Sequence, residues 1–400
     1  MRRPSRNSGV FGRLLERWRE GRRAWAGFQA FQALPKAKKT IVFYAETAGD
    51  WAYLGPITDA LGRMGRPWTA VCSDPKDPVL ARPDAFYVGF AMPRTALFRN
   101  IDATCFVMTL PDLETFQLKR SVHPVHYAYV FHSIASMHRV YREHAVDAYD
   151  TILCVGPHHE REIRKTEEVY GLKPKQLVPH GYGRLDTLMH DVEAFRTAHP
   201  GADEVPGDPI RVLVAPTWGE CSLVDHGLEG LLEALLRAGF KTTLRLHTMT
   251  KRHKPELAPG LLKRFGPAGL SIDPDINTTQ ALVESDIMIS EWSGSPLEYA
   301  FALLKPVVFV DTPPKVHNPA FGKLGLPCLE EDIRGQLGEI VPEGNWETLP
   351  TVIRNLVGHR ADWMERLAKV RDETVYNVGH SGEAGAEAIV RIVDAAGKKG

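Results

Sequence analysis

From Thr40 onward, short apolar runs alternate with longer segments whose apolar residues recur at helical spacing. The runs predict strands and the longer segments predict helices. The predicted strands are Thr40–Tyr44, Trp68–Cys72, Ala85–Val88, Thr104–Thr109, His126–Phe131, Thr151–Val155, Ile210–Val214, Thr242–His247, Asp286–Ser290 and Val307–Val310. The predicted helices are Leu54–Met64, His158–Tyr170, Leu228–Ala238, Thr278–Glu284, Pro296–Leu304 and Gly382–Ala396. Strands alternating with helices in this way indicate βαβ units and parallel sheets.

One break divides this alternation into two halves. Residues 197–209 hold three Pro and two Gly with almost no large apolar side chain, which is typical of a linker. A chain of 400 residues is also longer than one hydrophobic core usually accommodates. We therefore predict an α/β protein with two Rossmann-like domains, 40–196 and 210–365, facing across a cleft, followed by a helical segment, 366–400. Ligands in such folds bind at the carboxyl ends of the strands.

Residues 1–39 form a basic arm. They carry eleven Lys and Arg against two Glu, a net charge of +9 that the rest of the chain balances. Large apolar residues recur at mostly helical steps, and arginines fill much of the remaining circumference. The apolar positions are Phe11, Leu14, Leu15, Trp18, Trp25, Phe28 and Phe31. This pattern favours an amphipathic helix on an anionic membrane surface, although a helix docked on its own domain or a basic tail without an ordered role would fit too.

Composition excludes several classes of protein. The overall net charge of zero argues against a nucleic-acid binder. The chain holds no apolar run near the roughly 20 residues that span a bilayer. Its five cysteines are far apart, which favours reduced thiols over a disulfide framework or zinc ribbon. We expect a cytoplasmic protein, peripheral on the inner face of the cell membrane.

The segment from Asp286 to Pro306 predicts a phosphate site. A buried strand ends at Ser290 and Glu291, and Pro296 then marks the first turn of a helix. The intervening residues Ser293, Gly294 and Ser295 would present backbone N–H groups at a helix start, which suits a phosphate. Glu298, one turn later, could accept hydrogen bonds from a ribose. The alternative is a plain helix cap made by Ser293 or Ser295.

Two histidines follow predicted strands. His247 ends one strand, with Arg245 two residues earlier on the same strand face. Arg245 and a protonated His247 could there neutralise the phosphate of a leaving nucleotide. His132 follows another strand and could act as a general base. Structural roles are the alternative for both. An HxxH pair, His123 and His126, would point to opposite faces of a strand, so we expect no metal.

Two further loops are candidate cleft residues. Gly181, Arg184 and Asp186 lie in the sequence HGYGRLD, which could otherwise be a tight turn before a helix. Thr217 follows the first strand of the second half, where it could reach a donor phosphate or base.

Together these segments resemble the CDP-glycerol glycerophosphotransferase family, the teichoic-acid primases and polymerases. The similarity covers about Tyr129 to Pro313, in five ordered blocks. The blocks are Phe131–Ile134, Gly181–Asp186, Ala215–Trp218, Arg245–His247 and Ser290–Gly294 with Glu298. The resemblance implies a GT-B fold without metal or cofactor and transfer of glycerol phosphate from CDP-glycerol to a hydroxyl of a lipid-linked acceptor, with release of CMP. It also implies His132 as the base and His247 as an aid at the pyrophosphate.

Departures from the family pattern leave the donor open. Ser133 and Ile134 replace Gly-Thr, Glu291 replaces Asp, and Gly183 replaces Pro. Another CDP-alditol or a nucleotide sugar would fit the same scaffold. A UDP-sugar 2-epimerase-like enzyme is a second hypothesis, and a non-catalytic membrane-docked scaffold is a third.

Overall fold

The computed structural model describes residues 8–201, 206–276 and 278–398, and its first half is built on a seven-stranded parallel sheet. The order across this sheet is β3-β2-β1-β4-β5-β6-β7. Its strands are β1 Ile41–Ala45, β2 Thr69–Cys72, β3 Ala85–Tyr87, β4 Cys105–Met108, β5 His126–Val130, β6 Thr151–Cys154 and β7 Gln176–Pro179. The central strands are buried on both faces, as expected when helices cover a parallel sheet.

The second half is built on a six-stranded parallel sheet of order β10-β9-β8-β11-β12-β13. Its strands are β8 Arg211–Val214, β9 Lys241–Leu244, β10 Ser271–Ile272, β11 Ile287–Ser290, β12 Val307–Asp311 and β13 Gly338–Pro342. Both sheets therefore reverse their strand order near the centre, at β1/β4 in one and β8/β11 in the other. Such reversals open a crevice at the carboxyl ends of the strands.

Helices flank both sheets. Those of the first half are α1 Ser8–Gln32, α2 Trp51–Arg63, α3 Met92–Asn100, α4 Met137–Val140, α5 Pro157–Tyr170 and α6 Gly183–Ala198. Those of the second half are α7 Leu228–Arg237, α8 Thr248–His253, α9 Leu257–Phe265, α10 Gln280–Glu284, α11 Ser295–Leu303, α12 Leu329–Leu337 and α13 Leu349–Gly358. Two more, α14 Arg360–Thr374 and α15 Ser381–Gly397, complete the described chain.

The final helices return from the second half to the first. Helix α14 packs against α11 and α12, whereas α15 packs against α2 and α6. The contact with α2 is close at Gly382, where a Cβ atom would lie 2.5 Å from the carbonyl oxygen of Pro56. The carboxyl-terminal segment therefore joins the two halves, and the domain bounds drawn from the sequence stay a prediction.

The predicted strands and helices are present, with one correction that matters for the site. The strand predicted over Thr242–His247 ends at Leu244. His247 instead precedes helix α8 and caps its first turn, since its Nδ1 accepts a hydrogen bond from the Met249 backbone N–H. Arg245 and His247 therefore do not share a strand face, contrary to the prediction.

The basic arm forms helix α1, and only part of this helix packs against the first half of the protein. Its carboxyl-terminal part packs against β3 and α3, with Phe31 fully buried. At Gly27 the approach is so close that a Cβ would lie 2.0 Å from the carbonyl oxygen of Tyr87. Leu15 and Trp18, nearer the amino terminus, are exposed. Residues 1–7 and the side chains of Phe11 and Leu14 lie outside the description, and no helix within it is long and apolar enough to cross a bilayer.

Candidate active site

A cleft of about 690 Å³ lies between the two halves, at the carboxyl ends of both sheets. Nine of the thirteen site residues predicted from the sequence line it. These nine are His132, Arg184, Thr217, Arg245, His247, Ser293, Gly294, Ser295 and Glu298. The other four, Gly181, Asp186, Ser290 and Glu291, lie behind the cleft wall. The sequence patterns therefore identified residues that are distant in the chain and line the same cavity.

His132 lies directly after β5, with its ring stacked on that of Tyr141 at a centroid distance of 5.5 Å. Its Nδ1 is 3.0 Å from the carbonyl oxygen of Thr109. A carbonyl only accepts, so Nδ1 carries the proton and Nε2 keeps its lone pair. Burial lowers the pKa of His132, although the carbonyl of Thr109 and the charge of Asp50 oppose that shift. At neutral pH this ring is uncharged and able to accept a proton.

His247 has the opposite tautomer. Its Nδ1 accepts from the Met249 backbone N–H at 3.1 Å, so the neutral ring carries its proton on Nε2. Burial, together with the nearby charge of Lys315, lowers the pKa of His247 to about 4. In the free protein His247 is therefore a neutral hydrogen-bond donor rather than the cation expected from the sequence.

Arg245 is held by contacts on the second-half side of the cleft. Its guanidinium donates to the carbonyl oxygens of Ile276 and Thr278 and lies 3.4 Å from a carboxylate oxygen of Asp273. Burial lowers the pKa of Arg245, while the charge of Asp273 opposes the shift. The side chain thus ties the end of β9 to the segment after β10, and its charge is already neutralised.

The loop between β11 and α11 brings a helix start to the cleft, as predicted. Ser293 caps the turn, since its Oγ accepts from the backbone N–H of Ser295 at 3.1 Å. Across the cleft lies Ser133, whose Oγ would be 3.5 Å from a Cβ placed on Gly294. The positive end of the α11 dipole therefore faces the first half, where it would stabilise an anion. The backbone N–H groups of Ser293 and Ser295 already donate, to the carbonyl oxygen of Glu291 and to Ser293 Oγ.

Glu298 connects the two halves. It accepts hydrogen bonds from the Tyr182 hydroxyl and from Nε of Arg184, each at 2.8 Å. Both donors belong to the first half, and Tyr182 is fully buried. Protein donors thus occupy both carboxylate oxygens of Glu298, the group for which the sequence predicted a ribose contact.

Ser290 and Glu291 support the loop that follows β8. The carboxylate of Glu291 accepts from the backbone N–H groups of Thr217 at 2.8 Å and Leu223 at 3.0 Å. Ser290 donates to the carbonyl of Ala215 at 2.7 Å. Burial raises the pKa of Glu291 to about 7, against the effect of the two N–H donors. Ser290 and Glu291 therefore do not line the cleft themselves but hold the loop that places Thr217 there.

Gly181 and Asp186 fix the carboxyl-terminal helix. Gly181 has a φ of 100°, and a Cβ there would lie 2.3 Å from the carbonyl oxygen of Tyr376. Asp186 accepts from the backbone N–H groups of Gly379 and Ser381, each at 2.8 Å. This block therefore holds the segment that leads into α15, while its remaining member, Arg184, reaches the cleft.

Three charged residues of the cleft, Arg139, Lys315 and Glu330, were missed as site residues in the sequence. Lys315 follows strand β12, so the rule that placed the other residues at strand ends would have found it. Arg139 lies in the short helix α4, which follows the His132 block. Within the described residues no group of three His, Cys, Asp or Glu is arranged to hold a metal ion.

Two parallel sheets that face each other across a cleft, with a carboxyl-terminal helix returning to the first, define the GT-B fold. Among solved structures, the wall teichoic acid polymerase TagF, in a His-to-Asn variant soaked with CDPG, has a TM-score of 0.61, 14% identity and coverage of 98% of this chain and 99% of that chain. UDP-GlcNAc 2-epimerase from Methanocaldococcus jannaschii, with UDP-GlcNAc and UDP, has a TM-score of 0.56, 13% identity and coverage of 89% and 99%. S. aureus MnaA with UDP has a TM-score of 0.57, 13% identity and coverage of 90% and 97%.

The GT-B fold expected from the sequence is thus confirmed. Neither a scan of protein-family models nor a search of curated proteins found a match. At these identities the neighbours establish the fold, and activity must be argued from the cleft.

Proposed function

We propose that the protein is a member of the CDP-glycerol glycerophosphotransferase family. It transfers glycerol phosphate, or a related alditol phosphate, from a CDP-activated donor to a hydroxyl of a lipid-linked or polymeric cell-surface glycan. The acceptor oxygen attacks the phosphorus that bears the glycerol, the bond to the bridging oxygen of the pyrophosphate breaks, and CMP leaves. No metal or other cofactor is required in this proposal.

The observation that carries the proposal is the pair of histidines with opposite tautomers in one cleft. His132 presents an unprotonated Nε2, which suits a base taking the proton of the acceptor hydroxyl. His247 presents an Nε2–H, which suits a donor to an oxygen of the departing phosphate. One histidine from each half can therefore assist bond formation and bond cleavage from opposite walls.

The remaining wall suits a nucleotide. The start of α11 at Ser293, Gly294 and Ser295 offers the positive end of a helix dipole to a phosphate, and Thr217 adds a hydroxyl. Stabilising charge on a transferring phosphoryl group and positioning the reactants are the main tasks in phosphoryl transfer.

The test is a screen of CDP-glycerol, other CDP-alditols and UDP-sugars for nucleotide release, with a membrane extract as acceptor. We expect release of CMP from a CDP-alditol. His132→Ala and His247→Ala should each abolish turnover and leave thermal stability and nucleotide binding measurable. Near-normal transfer by either variant would remove the role assigned to that histidine.

A lipid-linked acceptor would place the protein at the inner face of the membrane, and α1 supports that location. Leu15 and Trp18 are exposed on a helix that also presents Arg17, Arg19 and Arg22. Apolar side chains beside arginines suit the boundary of an anionic bilayer. Replacing Leu15 and Trp18 together by Ser should weaken sedimentation with phosphatidylglycerol vesicles and spare the docked part of the helix.

The matched control for vesicle binding is Leu262→Ser, which removes an exposed leucine from the second half. Binding that persists unchanged in the Leu15/Trp18 variant would contradict a membrane role for α1.

The epimerase neighbours favour a second candidate, a UDP-sugar 2-epimerase-like reaction. Such chemistry needs acidic or basic groups at the sugar C2, and Glu298 and Glu330 both line the cleft. The free protein, however, engages Glu298 with Tyr182 and Arg184. Formation of the epimeric UDP-sugar in the absence of any acceptor would establish this candidate over the transferase.

A further inference from the structure

Four cationic side chains line the cleft within the described residues, and three of them already have an anionic partner. Each arginine lies within ion-pair distance of a carboxylate, so its charge is largely compensated. The pairs are Arg139 with Glu331, Arg184 with Glu298, and Arg245 with Asp273. The fourth cation, Lys315, forms no such pair with any described carboxylate.

Lys315 is held in place by neutral groups. Its Nζ donates to the Thr217 hydroxyl at 3.1 Å and lies 4.8 Å from the centre of the Trp218 ring. The residue follows β12 at the carboxyl edge of the second sheet and is half-buried. Burial lowers the pKa of Lys315 to about 8, with the charge of Glu291 opposing the shift. A half-buried ammonium without an ion-pair partner is costly, and a bound anion would offset that cost.

The neighbours of Lys315 belong to the predicted donor site. Trp218 stacks with His247 at a ring distance of 6.0 Å, and Thr217 is the hydroxyl assigned to donor phosphate or base. His247 itself is neutral, so it can donate a hydrogen bond but brings no charge. The ammonium of Lys315 thus lies on the second-half wall of the cleft, where Arg245 is already paired with Asp273.

We propose that Lys315 binds the pyrophosphate of the nucleotide donor and supplies the positive charge that the sequence predicted for His247 and Arg245. This inference rests on the proposed function and deepens it, because it names the group that compensates the leaving nucleotide. Thr217 and Trp218 act as positioning residues for the ammonium. The expected ligand class is a nucleoside diphosphate or its ester, bound more tightly than the monophosphate.

Isothermal titration of the full chain with CDP, CMP and cytidine tests the proposal, with UDP, UMP and uridine run in parallel. Lys315→Met keeps the length of the side chain and removes its charge. We expect this variant to bind CDP about 10- to 100-fold more weakly, the range for a lost charge-assisted hydrogen bond. The loss should be smaller for CMP and absent for cytidine. Lys315→Arg should retain most of the affinity for CDP.

Lys323→Met is the control. Lys323 also lies after β12, but it is exposed and pairs with Glu143 outside the cleft, so its removal should leave CDP binding unchanged. Thermal melts establish that each variant is folded, and Lys315→Gln serves as a second neutral variant if the Met variant melts early.

The titrations distinguish a failure of the Lys315 proposal from a failure of the proposed transferase function. Unchanged CDP affinity in a folded Lys315→Met protein would overturn the role of Lys315 and leave the transferase proposal intact. A wild-type protein that binds no nucleoside diphosphate would refute the proposed function itself.

Discussion

Substituting Glu291 by Gln should stabilise the protein at alkaline pH. The carboxylate is almost fully buried, and one oxygen accepts from the N–H groups of Thr217 and Leu223. The other oxygen, Oε2, has no hydrogen-bond partner among the described residues. A Gln amide keeps the accepting oxygen and places its NH₂ group where Oε2 lies, so the loop support is retained while the buried charge is removed.

The size of the effect follows from the raised pKa of Glu291, which burial shifts from 4.5 to about 7. A group whose pKa is raised on folding contributes most stability below its unfolded pKa and loses that contribution as pH rises through the folded value. Each pKa unit corresponds to 1.36 kcal/mol, so the wild-type protein should lose about 3 kcal/mol between pH 4.5 and pH above 7. Glu291→Gln should not show this loss.

Urea unfolding of both proteins at pH 5 and pH 8.5, followed by tryptophan fluorescence, measures the difference. The midpoint of Glu291→Gln should exceed that of wild type at pH 8.5 and come close to it at pH 5. Glu339→Gln, an exposed residue of β13, controls for the change in net charge. Parallel pH profiles for wild type and Glu291→Gln would refute the reasoning, because they would show that Glu291 ionises in the folded protein as easily as in water.

Three further predictions concern the proposed base, a buried ion pair within the first half and a glycine. Because burial lowers the pKa of His132 from its ordinary value of 6.5, the midpoint of the fall in kcat/KM on acidification should lie below pH 6.5. A midpoint at pH 7 or above would contradict His132 as the base. Glu162→Gln removes the buried carboxylate that pairs with His138, so it should lower the free energy of unfolding in urea by about 3–5 kcal/mol. A decrease of less than about 1 kcal/mol would contradict the pairing. Gly181→Ala should cost more than about 2 kcal/mol, since the φ of 100° and the carbonyl of Tyr376 both exclude a Cβ, and unchanged thermal stability would disprove this.

The sequence predicted the elements that carry a strong local signal. Central strands such as β1 and β11 are fully buried, so their apolar runs stand out. The helix start at Ser295 was predicted because a buried strand, small residues and Pro296 occur in order. The strands β7, β10 and β13 were missed. All three are edge strands, and an edge strand needs fewer apolar residues because one side lacks a neighbouring strand.

Within the site, the sequence located residues but not their partners. The sequence predicted a ribose contact for Glu298 from its position in the first turn of a helix, which the local sequence alone indicates. Glu298 and Arg184 are 114 residues apart in the chain, so their contact depends on how the two halves pack together. His247 was expected to be a cation, yet its protonation follows from burial and from Lys315, neither of which the local pattern contains. Tertiary packing thus decided the charge state of the site.

The same packing sets how far apart the two walls of the cleft lie. Helix α4 follows the His132 block and is held by the second half. The side-chain amide of Asn318 donates to the carbonyl oxygen of His138 at 2.9 Å, and Oγ of Ser136, the residue before the helix, accepts from the N–H of Leu329 at 2.7 Å. In-line transfer requires reacting atoms about 3–3.5 Å apart. In the proposed reaction, a base on one half and a donor site on the other would meet this requirement only if the halves keep their spacing. The buried polar contacts around α4 hold that spacing, so in the proposed mechanism they would act through geometry rather than by touching the donor or the acceptor.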